Sequence, residues 1–197
     1  MVFAWRHRSE FVKTVTTSSH ILDEVSDFLK PELEAVNREI ANVIQSDTRL
    51  VNEVGEYVLS GVGKRLRPMM LLLVTKACGC ENENRISVAA ALEIIHTATL
   101  LHDDVIDKAA MRRGKPSVNA RWGDDVAILI ADFLYANAFR LAMQSLSPVV
   151  ISTICQVTAQ MCEGEMFQIE KRQQFLTTED YLRTVRHKTA FLFSACT

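Results

Sequence analysis

Residues 100–119, LLHDDVIDKAAMRRGKPSVN, set three aspartates, Asp103, Asp104 and Asp107, directly behind an apolar run. Two arginines, Arg112 and Arg113, follow five residues later. On a helix, Asp103 and Asp107 are i,i+4 neighbours, so both carboxylates reach a common point, and His96 falls on the same stripe. Like charges at that spacing destabilise a bare helix. A cation between them removes the conflict. Carboxylate oxygens are hard ligands, and one or two of them plus phosphate oxygens is the usual way of holding Mg²⁺. The plainer reading, a solvated acidic helix end, fits poorly with the apolar turns that precede it.

A second segment, GVGKRLRP at 61–68, carries the opposite charge. Gly61 and Gly63 allow a flexible turn, and Lys64, Arg65 and Arg67 then crowd a helix start. Basic residues there oppose the helix dipole. The same place suits an anion, because free backbone N–H groups and arginine forks bind phosphate well. Alone, the segment reads equally well as a basic surface loop. Beside an aspartate cluster it gains a use: a metal can bridge carboxylates to a diphosphate while arginines take the remaining oxygens. Arg112, Arg113 and Lys115 form a further basic group. Lys188 and Thr189 add a cation and a hydroxyl late in the chain, where a lone lysine would otherwise read as surface.

The elements that must position these groups are helices. Apolar residues recur at helical spacing, with no sustained strand-type alternation. Seven helices are expected: 20–45, broken near Pro31; 48–60; 68–78, opening with Pro68 in the first turn; 85–108, the most apolar; 124–145; one from the Ser147 cap and Pro148 to about 174; and one from a Thr177/Asp180 capping box to the end. A polar loop is expected over 109–123. The fold class is therefore all-α. The chain ends in the apolar run KTAFLFSACT without a helix cap, so truncation, or cover by another chain, is expected there.

The 197 residues suffice for one domain with a real core, 1–197, of which 1–19 is expected to be flexible. A net charge of −2 gives no general attraction to nucleic acid or to acidic membranes. Five cysteines, none at trusted metal-ligand spacing, read as reduced and intracellular. No uninterrupted apolar run reaches the roughly 18 residues of a membrane span; residues 86–101 come nearest but contain Glu93 and His96. Arg6, Arg8 and Lys13 faintly resemble an organelle address, Glu10 counts against it, and a cytoplasmic location is expected.

Together GKRLRP, EIIHTATLLHDDVIDKAAMRRGKPS, GDDVAILIADFL, EGEMFQIE and RHKTAFLF resemble the trans-isoprenyl diphosphate synthases, the polyprenyl synthetase family, over about residues 50–197. The resemblance implies an antiparallel helical bundle around a central cavity and a homodimer. It also implies a Mg²⁺-dependent condensation of isopentenyl diphosphate with an allylic diphosphate such as geranyl, farnesyl or geranylgeranyl diphosphate. By motif position it implies that Asp103 and Asp107 hold Mg²⁺ on the allylic diphosphate, with Asp104 supporting and Arg112 facing that diphosphate. Lys64, Arg67, His96 and Arg113 would hold isopentenyl diphosphate. Lys188 and Thr189 would lie beside the allylic group, and Gln168 stands where some relatives carry an acid.

One departure matters. The family's second aspartate-rich motif is not in these residues, so the chain alone is expected to be inactive or nearly so. A non-catalytic partner subunit of a heteromeric prenyl synthase is the alternative. A metal phosphohydrolase built on the His102-Asp103 doublet is a weaker one, since it leaves GKRLRP and RRGKP unexplained. Ala98 and Thr99, one turn before Asp103, are small. In the family small residues there let the product grow, so a medium- or long-chain product is expected.

Overall fold

The computed structural model describes residues 20–60, 63–80 and 82–197. Expectations for residues 1–19 and for Gly61 lie outside the described residues. Helix α1 covers residues 20–28 and breaks at Leu29; α2, Lys30–Val43, restarts with Pro31 in its first turn, where the missing N–H costs nothing. Then follow α3, Arg49–Leu59, α4, Leu66–Ala77, and α5, Asn84–Ile106.

The expected loop over 109–123 is more ordered than its composition implied. Strands β1, Met111–Arg112, and β2, Lys115–Pro116, pair antiparallel, and α6, Val118–Trp122, follows. Helix α6 is capped by Ser117, whose hydroxyl accepts from the Ala120 N–H at 3.3 Å. Helix α7, Asp124–Met143, and α8, Pro148–Glu170, complete the long elements. Ser147 caps α8 as expected, accepting from the Val150 N–H. The Thr177/Asp180 capping box is present at the start of α9, Thr178–Val185. The final helix runs unbroken over residues 178–194, with a π-helical turn, Arg186–Ala190, between α9 and α10, Phe191–Ser194.

Helix α5 is the central strut, packed against α2, α4, α6 and α7. Both α5 and α7 bury small residues. Ala89, Ala90, Ala91 and Ala98 on α5, and Ala127, Ala131, Ala138 and Ala142 on α7, are all fully buried. Alanine faces let two helix backbones approach closely, and Ile94, Ile95, Leu134 and Leu141 fill the space around them. Helix α7 rather than residues 86–101 has the length and composition of a membrane span; it lies partly buried in the bundle. The chain is an all-α antiparallel bundle, and its five cysteines are unpaired.

Candidate active site

Two cavities flank the C-terminal half of α5 and share His96 and Leu100 in their walls. The first, about 290 Å³, is basic: Arg65, Arg112, Arg113 and Lys115 line it together with Glu93 and Asp104. The second, about 330 Å³, contains Asp103, Glu165 and Lys188 at one end of a largely apolar wall from α5, α7 and α8.

The basic cavity is shaped by the β1–β2 hairpin. Arg113 and Gly114 occupy its turn, both with positive φ (49° and 78°), the I′ geometry that matches strand twist. Tyr57 fastens the hairpin to α3: its hydroxyl donates to the Pro116 carbonyl at 2.7 Å, and its ring meets Trp122 edge-on. Gly63 lies against the Arg113 guanidinium; a Cβ there would sit 3.1 Å from Nη1. Asp104 is buried and accepts two hydrogen bonds from Arg112, Nε at 2.6 Å and Nη2 at 2.7 Å. This bidentate pair is the strong form of the interaction, and it holds the Arg112 guanidinium above its usual pKa.

Asp104 and Arg112, expected beside the Asp103 metal, are thus turned to the basic side. His96 faces both cavities. Burial, reinforced by Arg67, Arg113 and Arg112, lowers its pKa to about 4. At neutral pH it is an uncharged hydrogen-bonding group between the cations.

In the second cavity burial raises the Asp103 pKa, opposed by Lys188, whose Nζ lies 3.8 Å from Oδ2. Lys188 also forms an ion pair with Glu165 and donates to Gln168 at 3.3 Å. Glu165 is buried and, among the described residues, has no hydrogen-bond partner beyond that ion pair. The π turn is what places Lys188 and Thr189 on the cavity wall, a frequent use of such bulges. Its His187 packs on Gly164, where a Cβ would come within 2.5 Å of the His187 Cβ.

Arg67, expected with Lys64 and Arg113, lines this second cavity and lies over the Phe193 ring at 4.6 Å. Lys64 is exposed and lines neither cavity. Asp107 is exposed at the rim and accepts from Arg172 at 2.9 Å. Ala98 needs correction. It is fully buried and lines neither cavity, because it lies five residues, not four, before Asp103 on a 3.6-residue helix. Thr99 does line the cavity. Glu165, Tyr135, Met161 and Arg172 were not singled out from sequence. A buried carboxylate in EGEMFQIE was the signal available for Glu165; the others depend on tertiary contacts.

The donor chemistry fits a hard divalent cation. Asp103 and Asp107 present oxygens one helical turn apart, and cationic side chains from distant segments already lie against each of them. Among the described residues no group of three or more His, Cys, Asp or Glu forms a metal cage. A cation there therefore needs phosphate or water oxygens as further ligands, as Mg²⁺ commonly does. His102 is engaged with Asp132 at 3.3 Å, and its ring lies tilted against Tyr135 with 5.7 Å between centroids.

A family model described as polyprenyl synthetase matches residues 48–197. Octaprenyl diphosphate synthase of Escherichia coli (strain K12) is 38% identical over 175 residues, 88% of this chain and 54% of that protein. Heptaprenyl diphosphate synthase component 2 of Geobacillus stearothermophilus is 35% identical over 88% of this chain and 55% of its own length. A polyprenyl synthase from Caulobacter crescentus CB15, solved in complex with calcium and isoprenyl diphosphate, superposes with a TM-score of 0.86 at 35% identity, covering 89% of this chain and 54% of that one. The chain spans about half the length of the curated relatives it matches.

Proposed function

Because the chain belongs to the polyprenyl synthetase family, we propose that it serves the condensation of isopentenyl diphosphate with an allylic diphosphate. The product is a trans-polyprenyl diphosphate of medium or long chain, with release of diphosphate. The observation that carries the proposal is the pair of cavities meeting at His96 and Leu100, one basic and one bearing carboxylates above an apolar wall.

In this reading the basic cavity, with neutral His96, Arg113 and neighbouring Lys64, takes the isopentenyl diphosphate. The second cavity takes the allylic diphosphate at Asp103 and Asp107, with its tail along Thr99, Tyr135 and Met161. Mg²⁺, when bound at these aspartates, supplies charge stabilisation for the leaving diphosphate. Lys188, held at the mouth by Glu165 and Gln168, adds a protein cation to that end. Ionisation breaks the allylic C–O bond, and the electron pair leaves on the diphosphate. The isopentenyl double bond then forms the new C–C bond, and a proton is lost to regenerate an alkene. The apolar wall keeps water from the cationic carbon. A homodimer in the cytoplasm is the proposed setting. Steady-state turnover by these residues alone is expected to be slight, since two carboxylates supply few of the ligands a diphosphate-bound cation needs.

Calorimetric titration of the chain tests the reading. Isopentenyl diphosphate should bind in EDTA as well as in Mg²⁺, and farnesyl diphosphate only in Mg²⁺. Equal metal dependence of the two ligands, or binding of neither, contradicts it. The similarity to a heptaprenyl diphosphate synthase component 2 favours a second reading, a component of a heteromeric synthase. Turnover that arises only on mixing with a second prenyl synthase chain supports that reading over the homodimer.

A further inference from the structure

A carboxylate is out of place in a cavity that takes a diphosphate, yet Glu93 lines the basic cavity and is only 5% exposed. Its Oε1 accepts from Arg65 Nη1 at 3.0 Å, and both side chains are largely buried. Arg65 Nε in turn donates to Asn37 Oδ1 at 3.0 Å. One guanidinium thereby joins α2, α5 and the start of α4.

Arg65 is also the N-cap of α4, with φ 52° and ψ 37°. A left-handed conformation is strained for a non-glycine residue, and N-caps ordinarily take extended backbone. Something outside the local sequence must hold it, and the buried pair with Glu93 does so. The consequence reaches Lys64, one residue before Arg65, and Arg67, two residues after. Arg67 is itself desolvated, and the Glu93 carboxylate offsets that burial. Arg67 Nε and Glu93 Oε2 are buried without a hydrogen-bond partner among the described residues.

We infer that Glu93 is a positioning residue for the diphosphate cavity: through its buried ion pair it fixes Arg65 in the left-handed conformation that starts α4, and so holds Arg65 on the wall of the basic cavity and sets the course of the chain at Gly63, which lines it too, and at the adjoining Lys64. The inference rests on the proposed reading of the basic cavity as an isopentenyl diphosphate site.

Two variants separate positioning from charge. Arg65→Met/Glu93→Met removes one cation and one anion together, so the net charge of the cavity is unchanged. Replacing a buried pair by apolar residues of similar size is often neutral or stabilising. Sodium diphosphate is titrated calorimetrically in EDTA, with circular dichroism and melting temperature as the fold control. The double variant should keep its melting temperature and bind diphosphate at least tenfold more weakly than wild type. Affinity within twofold of wild type overturns the inference.

Should the double variant not fold, Glu93→Gln decides. Removing an anion from an anion site strengthens binding if charge alone matters. Weakening the hold on Arg65, since a neutral hydrogen bond is about half as strong, should instead reduce affinity about threefold. Unchanged or tighter binding overturns the positioning role. If wild type itself binds no diphosphate in EDTA, the reading of the cavity fails, which is distinguishable from a failure of Glu93 alone.

Discussion

The two cavities share a wall but are held together in opposite ways. In the basic one the charges are paired internally: Asp104 is engaged through both oxygens by Arg112, and Glu93 through one oxygen by Arg65, the Arg65 and Glu93 side chains being 12% and 7% exposed. Such pairs are costly to break once buried, so this cavity is built before any ligand arrives. In the other, the Asp107–Arg172 pair is 51% and 45% exposed, and Lys188 is divided among Asp103, Glu165 and Gln168. Exposed pairs contribute little. At Asp107 an incoming cation therefore displaces a weak partner, while the basic side is preorganised for an anion without metal.

Asp103→Asn attacks the difference directly. It should weaken Mg²⁺-dependent farnesyl diphosphate binding by more than a hundredfold and leave metal-free diphosphate binding within twofold. Isothermal titration in Mg²⁺ and in EDTA gives both numbers, and parallel losses would mean one shared site.

The shared wall has its own pH signature. With a folded pKa of about 4 against an ordinary 6.5 for His96, the unfolded chain takes up the proton first as pH falls. The stability tied to neutral His96 is complete above pH 6.5 and is lost progressively between pH 6.5 and about 4. At pH 5 this amounts to about 2 kcal/mol. Urea unfolding at pH 7.5 and pH 5 should show wild type losing about that much more than His96→Asn. Equal losses would mean that His96 titrates normally.

Thr99→Phe is a smaller change confined to the second cavity. It should weaken farnesyl diphosphate binding about tenfold in Mg²⁺ while dimethylallyl diphosphate binds as before, since only the longer tail passes Thr99. Ala98→Phe serves as the contrast. It overpacks the core around a fully buried position, costing about 1–3 kcal/mol, and should lower the melting temperature without selecting by tail length.

The least effect is expected from Arg172→Ala. Losing an exposed pair at Asp107 costs under about 1 kcal/mol, so the melting temperature should hardly move. Binding of Mn²⁺, followed by electron paramagnetic resonance, should tighten about two- to fourfold because a competing cation is gone. Weaker Mn²⁺ binding would make Arg172 a support of the site.

What was legible in the sequence divides along the same line. Local signals were reliable: the break near Pro31, the Ser147 and Thr177 caps, and the i,i+4 aspartates are all set by residues within a few positions of one another. The hairpin at 111–116 was not legible, because two-residue strands carry no periodicity and its turn uses Arg113 where Asn is usual. The π turn at 186–190 could not be read either. It follows from the close approach of His187 to Gly164 on α8, a contact between residues 23 positions apart. The same holds for the site. The aspartates and arginines announced themselves, but their allocation to two cavities depends on which face of α5 each occupies. Adjacent residues on a helix diverge by about 100°, so Asp103 and Asp104 serve different cavities.

The most direct test is whether the two diphosphates occupy the chain together. In equilibrium dialysis with radiolabelled isopentenyl diphosphate, the chain should bind one equivalent in EDTA. In Mg²⁺ it should still bind one equivalent when a non-ionising thio-analogue of farnesyl diphosphate is present at saturation. Displacement of the label by the farnesyl analogue, with the sum never exceeding one ligand per chain, would show a single diphosphate site and contradict the division at His96.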